Sequence, residues 1–312
     1  MSSSTPSAPE NSRSADARSE SSRSATEQEL YSQPDIWARV LADSPVHRGI
    51  LPATGRPVLF VGCGTSYYIG ESYARLRNAA GLGRTRAAIA SEIPYVERDE
   101  VILVLSRSGT TGDVNRIARE LGQDHHVVGI IGDPATPLPA LCDEYVLLDY
   151  ADEISVVQTR FATSALTALR ASLGADLSGL VQDARAALAE PLPDPLPDHV
   201  VFLGHGWTIG VANEAALKCR EAAGFWTEAY PVMEYQHGPI AAAGPGTLVW
   251  SFEPLPDFIA DAVKATGARV HVPNLDPQAQ LATVHRLAVA LAVRAGRDPD
   301  HPRFLSRSVQ LT

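Results

Sequence analysis

The sequence predicts an α/β protein made of two tandem, doubly wound parallel-sheet units. Short runs such as VLFV (58–61) and VILVL (101–105) are apolar at every position, which suits strands buried on both faces. Each run leads through a small polar turn into helical periodicity, the alternation that builds a parallel sheet covered by helices. The theme then restarts: RPVLFVGCGTS and HVVFLGHGWT share strand, Gly-x-Gly turn and helix, the mark of an internal duplication.

Residues 1–27 are Ser-rich with mixed charge and too little apolar surface to order themselves, so they are expected to be a disordered tail. ELYSQPDIWARVLAD has helical periodicity, with Pro34 in the first turn of the helix proper. The strand in RPVLFVG and the helix in YYIGESYARLRNAAG follow. TRAAIAS, EVILVLS, HHVVGIIGD and EYVLLDY read as further strands, DVNRIARELG as a helix and SVVQTRFATSALTALRASLG as one long helix. AEPLPDPLPD (189–198) is a proline-rich linker separating a first unit, 28–188, from a second, 199–312. In the second unit HVVFLG, GTLVWSF and ARVHVPN supply strands and QLATVHRLAVALAVRAG a closing helix.

A net charge of −10 over 312 residues argues against nucleic acid or an anionic membrane as principal partner, while leaving room for an anionic small molecule in a local pocket. The three cysteines, Cys63, Cys142 and Cys219, fit no metal-ligand spacing, and neither a metal nor a cofactor is expected. The N-terminal stretch has no apolar core for a signal peptide, and LAVALAV is too short to span a bilayer, so a cytoplasmic protein is expected.

Two loops share one chemistry. GCGTS and SRSGTT each end a strand and open a helix with Gly, Ser and Thr, so backbone, hydroxyls and helix amides can converge on an anion. Gly64, Thr65, Ser66, Ser106, Ser108 and Thr111 are the candidates, with Arg107 adding a cation. Ser and Thr also serve as plain helix caps. Two such loops on neighbouring strands favour a phosphate monoester. A dinucleotide fingerprint would need a third glycine where Tyr67 stands.

VANEAALKCREAAGFWTEAYPVMEYQHGP places Glu214, Lys218 and Glu221 on one helical face, with His237 after a turn. Alone, the first three would be a solvated ion-pair face and His237 a turn histidine. Beside two anion-type loops they suit proton transfer next to a carbonyl, with a carboxylate base, an ammonium to steady an enediolate and an imidazole for ring opening.

The chain resembles the sugar isomerase (SIS) domain family over about residues 29–312, in ELYSQP, GCGTSYYIG, ASEIPY, SRSGTT, EISVVQT, EAALKCRE, EAY, YQHGP and HPRFLSRSV. Within it the likeness is to the isomerase half of glucosamine-6-phosphate synthase and to related aldose-ketose isomerases and deglycases. The resemblance implies flavodoxin-like units binding a phosphorylated sugar. Thr65, Ser66, Ser106, Ser108 and Thr111 match phosphate-binding positions, and Gly64, Arg107, Val156 and Arg307 fall among the substrate-binding ones. It also implies Glu221 as the base between C1 and C2, Glu214 and Lys218 as supporting groups, and His237 contributed across a homodimer interface. Arg307 stands where the synthase has a Schiff-base lysine, and the glutamine-hydrolysing domain has no counterpart here. Arginine stays protonated and is no amine nucleophile. The expected activity is aldose-ketose isomerisation, with or without loss of an amine, of a sugar phosphate or amino-sugar phosphate. A deglycase of a sugar-phosphate amine conjugate and a non-catalytic sugar-phosphate sensor are the alternatives.

Overall fold

The structure, a computed structural model, describes residues 23–93 and 95–310. Residues 1–22 of the expected tail lie outside the described residues. Helix α1 (Ala25–Tyr31) starts inside the stretch assigned to the tail, because Ser24 and Glu27 form a reciprocal capping box. Asp300, from the far end of the chain, also accepts from the amides of Ala25 and Thr26 at 2.7 and 2.8 Å. Helix α2 (Gln33–Ala42) carries Pro34 in its first turn, as expected, and α3 (Ser44–Ile50) follows.

The first sheet is built from β1 (Val58–Gly62), β2 (Thr85–Ile89), β3 (Val101–Ser106), β4 (Val127–Ile131) and β5 (Glu144–Leu147). They pair in the order β2-β1-β3-β4-β5, all parallel. Helix α4 (Thr65–Ala79) follows β1, and α5 (Gly112–Leu121) follows β3. Val58 and Phe60 enter one core cluster while Leu59 and Val61 enter another, so both faces of β1 are covered. Two-sided burial is why this strand has no polar alternation.

Helix α6 (Arg160–Ser172) begins five residues later than the periodicity suggested. The buried Glu153 carboxylate accepts from the Thr159 and Arg160 amides at 2.6 and 2.8 Å and so caps α6 from outside, turning 153–157 into a loop. Helix α7 (Leu180–Ala189), which the sequence reading did not mark, precedes the proline-rich stretch.

The second sheet holds β6 (His199–Gly204), β7 (Thr227–Pro231), β8 (Thr247–Ser251) and β9 (Arg269–His271). The order β7-β6-β8-β9, again parallel, repeats that of the first sheet without its fifth strand. Helices α8 (Thr208–Ala223), α9 (Asp257–Ala265) and α10 (Pro277–Arg294) complete this half. Strand β7 and helix α9 were not legible: TEAYP is an edge strand with few apolar residues, ending in proline.

One core cluster joins the halves. Phe60 of the first sheet and Phe202 and Trp250 of the second share it with Ala212, Ala215, Ala216 and Cys219 of α8. Helix α8 lies directly against α4: a Cβ at Gly210 would stand 2.4 Å from the Tyr68 carbonyl oxygen and 2.3 Å from Ser72 Oγ, so only glycine permits the approach. Among the described residues no helix is long and apolar enough to cross a membrane.

Candidate active site

Strands β1 and β3 are neighbours whose following helices start at the same end of the sheet, which opens a crevice beyond their carboxyl ends. Gly64, with φ of 52°, turns the chain from β1 into α4 and leaves Thr65 and Ser66 buried in the first helical turn. In the second loop Ser106 Oγ accepts from the Gly109 amide at 3.1 Å, and Ser108 Oγ accepts from the Thr110 amide at 3.3 Å. Ser108 Oγ also lies 3.5 Å from Thr111 Oγ1. Neither α4 nor α5 has a side-chain cap bond, so these hydroxyls are not consumed as ordinary helix caps.

Helix α8 delivers the acid–base groups to this crevice. Lys218, 1% exposed, donates from Nζ to Thr65 Oγ1 at 2.8 Å and to Glu221 Oε2 at 2.5 Å, and lies 3.4 Å from Glu214 Oε1. One ammonium thus ties the first hydroxyl loop to both carboxylates. Burial alone would lower the Lys218 pKa, but the charges of Glu214 and Glu221 hold it above its usual value. Glu214 is fully buried, and neither of its oxygens has a hydrogen-bond partner of ordinary geometry. Burial pushes its carboxyl up to about 7, with Lys218 opposing and Glu221 adding to the rise.

This has a measurable consequence. The folded pKa of Glu214 exceeds its unfolded value, so between about pH 4.5 and 7 the folded state binds more protons and stability falls as pH rises. A shift of that size corresponds to about 3 kcal/mol. Denaturant unfolding at pH 5 and pH 8 should show a shallower dependence in Glu214→Gln than in the parent; equal slopes would contradict the assignment.

Other candidates fall differently. Arg107, expected to face a phosphate, is buried, with Nη1 donating to the Ser155 carbonyl at 2.7 Å and Nη2 to the carbonyls of Val156 and Arg307 at 3.3 and 3.1 Å. Its Nη1 is 3.9 Å from the buried Glu153 carboxylate. The guanidinium therefore ties the 153–157 loop and the C-terminal segment to the second hydroxyl loop instead of presenting charge to the crevice. Burial lowers its pKa, with Glu153 opposing. Val156 enters through its carbonyl. Arg307 pairs with both oxygens of Asp152 at 2.7 Å. Beyond it, Ser308 Oγ accepts from Thr110 Oγ1 at 2.8 Å and the Val309 carbonyl accepts from the Gly112 amide at 3.0 Å. His237 is exposed and not joined to the cluster. It follows a 3-10 turn, Met233–Gln236, whose Tyr235 packs with Val201 and Leu203, while Val200 and Phe202 on the other face of β6 pack with α8.

Comparison with known proteins fits this geometry. Residues 55–174 match the family model described as SIS domain. This stretch is a SIS domain. In sequence the chain is 29% identical over 347 aligned residues to the glutamine–fructose-6-phosphate aminotransferase (isomerizing) of Aeropyrum pernix, covering 90% of this chain. It is 26% identical over 355 residues to the enzyme of that name from Chlamydia pneumoniae. The chain spans 56% and 57% of those two relatives. Among solved structures, glucosamine-6-phosphate deaminase from Thermotoga maritima superposes with a TM-score of 0.78 at 24% identity, over 92% of this chain and 100% of that one. Tagatose-6-phosphate ketose/aldose isomerase from Escherichia coli gives 0.75 at 19%, over 92% and 99%. These likenesses establish that the SIS fold extends through both sheets.

Sequence reading missed several buried groups that shape the SIS crevice. Glu153 caps α6, and Glu29 of α1 accepts from the Ile154 amide at 2.5 Å and from the Ser155 hydroxyl, which fixes the loop that Arg107 also holds. An acid at the head of EISVVQT was the available signal for Glu153. His285 of α10 sits 3.3 Å through Nδ1 from Gln33 Nε2, and burial together with the Lys218 charge holds it neutral, its pKa down at about 3. Inside an apolar helical run it carried no sequence signal beyond being polar.

Proposed function

We propose that the chain binds a phosphorylated sugar or amino sugar and interconverts its aldose and ketose forms through an enediol. The observation that carries this reading is the unbroken line Thr65–Lys218–Glu221, which sets a carboxylate and an ammonium beside hydroxyl loops suited to a phosphate. The phosphate lies against Ser66, Ser108 and Thr111 and the first turns of α4 and α5. Glu221 removes a proton from one of C1 and C2 and returns it to the other. Lys218 offsets the negative charge that develops on the enediolate oxygen. Glu214, titrating near neutrality, adjusts how much of the Lys218 charge is available to the site.

Sequence relatives named as isomerizing aminotransferases and a fold neighbour named as a glucosamine-6-phosphate deaminase support amino-sugar chemistry. Transfer of nitrogen through a lysine Schiff base finds no support, since Arg307 is an arginine held by Asp152.

Two experiments test this. Ser108→Ala and Thr111→Ala should each weaken sugar-phosphate binding by about 1–3 kcal/mol in calorimetry, through lost hydrogen bonds to a charged group. Equal affinity of the parent for phosphorylated and unphosphorylated sugar would sink the reading. In a homodimer His237, exposed and bonded to none of Glu214, Lys218 or Glu221 in its own chain, completes the neighbour's site as the ring-opening group. Mixing Glu221→Gln and His237→Ala chains should then restore part of the activity that each has lost. No recovery in a demonstrated mixed dimer would place both groups in one subunit's site.

A further inference from the structure

Glu221 also lines a cavity of about 520 Å³, together with Arg220, Arg297, His301, Arg303 and Phe304 among others. Its walls come from the last turn of α8 and from the segment after α10 that continues to the second hydroxyl loop. Three arginines in one pocket is a concentration of positive charge in a chain whose net charge is −10. Among the described residues, none of the three lies within 4.0 Å of a carboxylate. Arg220 donates Nη1 to the Thr227 carbonyl at 3.0 Å and Arg297 donates Nη1 to the Ala223 carbonyl, so each is anchored at one end. Arg303 is exposed over the Phe304 ring, 5.0 Å from its centroid. Of the acids in the lining, Glu221 is engaged by Lys218, and Asp298 is engaged by His301 at 2.7 Å and by the Asp300 amide at 2.9 Å.

We propose that this pocket is an anion subsite for a second negatively charged group, carried by the substrate at the sugar end remote from its phosphate. The inference rests on the isomerase reading above, which puts the phosphate at the hydroxyl loops and the reacting carbons at Glu221. The order along the crevice is then hydroxyl loop, Lys218, Glu221, arginine pocket. Because Glu221 itself lines the pocket, a substituent on the reacting end can enter it, and anchored guanidinium forks select a carboxylate or phosphate there over a neutral group. A small unsubstituted sugar phosphate would leave the arginines without an anionic partner in the pocket. The substrate class is therefore a sugar phosphate bearing a second anion, from either an amine-linked carboxylate or a second phosphate.

The test uses calorimetry on the full chain with four probes: a ketose 6-phosphate, its C1 conjugate with glycine, the matching conjugate with glycinamide, and the 1,6-bisphosphate. The glycine conjugate or the bisphosphate should bind about tenfold or more tightly than the glycinamide conjugate, and whichever gains more identifies the source of the anion. Arg303→Gln, at an exposed site whose change leaves the core intact, should remove most of that advantage while affinity for the plain 6-phosphate stays within about twofold. Arg303→Glu should reverse the preference. Plain 6-phosphate binding with no gain from the second charge would overturn the subsite and leave the isomerase reading standing. Failure of all four to bind would overturn both.

Discussion

Glu221→Gln should leave sugar-phosphate binding close to that of the parent and cut turnover by about 10²- to 10⁴-fold. The amide keeps the shape of the carboxylate and can still accept from Lys218 Nζ, which now lies 2.5 Å from Glu221 Oε2, but it cannot hold the transferred proton. In deuterated water the parent should place solvent deuterium at C1 or C2 of the product, and the variant should lose this exchange in parallel. The same experiment separates the readings of function. An isomerase exchanges and yields ketose from aldose; a deglycase needs an amine conjugate and frees the amine; a sensor exchanges in neither form. If the Gln variant turned over like its parent, the base would move to Glu214.

The second large effect is on stability. Lys218 stands between two carboxylates, and Glu214 beside it is 1% exposed with, among the described residues, no hydrogen-bond partner of ordinary geometry. Lys218→Met should therefore cost about 3–5 kcal/mol, seen as a drop in Tm of roughly 10 °C, because it strands a buried carboxylate. The loss should be smaller at pH 5.5 than at pH 8, since Glu214, titrating at about 7, is protonated at the lower pH. Adding Glu214→Gln should return part of the stability. An unchanged Tm in Lys218→Met would mean that the ammonium does not compensate the acids.

The strands and the side-by-side placement of the two hydroxyl loops were legible for a common reason. Two-sided burial of β1 and β3 demands uninterrupted apolar runs, and a parallel sheet puts the turns after them side by side. Helical spacing likewise put Glu214, Lys218 and Glu221 on one face, and the structure joins them at hydrogen-bond or ion-pair distance. The contacts of Arg107 were not legible, because a sequence shows that a cation follows a hydroxyl but not which way it points. Here three carbonyls from residues 48 to 200 positions away take donors from its Nη1 and Nη2, while its buried Nε has no partner among the described residues. The start of α6 was missed for a different reason, since its cap, Glu153, accepts from six and seven residues away, outside the usual N-cap spacing. The start of α1 was readable: Ser24-x-x-Glu27 is a capping box by spacing, but the Ser-rich composition around it masked the signal.

The close packing of α4 on α8 has a consequence for how the two halves divide labour. The helices hold equivalent places after the first strand of each sheet, so their contact has the form of an isologous interface written into a single chain. A true twofold would oblige both sides to carry the same residues. Counted from the strand-ending glycines Gly62 and Gly204, the positions of Glu214, Lys218 and Glu221 in α8 correspond to Ser72, Leu76 and Ala79 in α4. In the other direction, Thr65, which accepts a hydrogen bond from Lys218, corresponds to Trp207. On the proposed reading, covalent linkage lets one copy specialise in holding an anion and the other in moving protons, with the candidate site formed where the two copies cease to be alike.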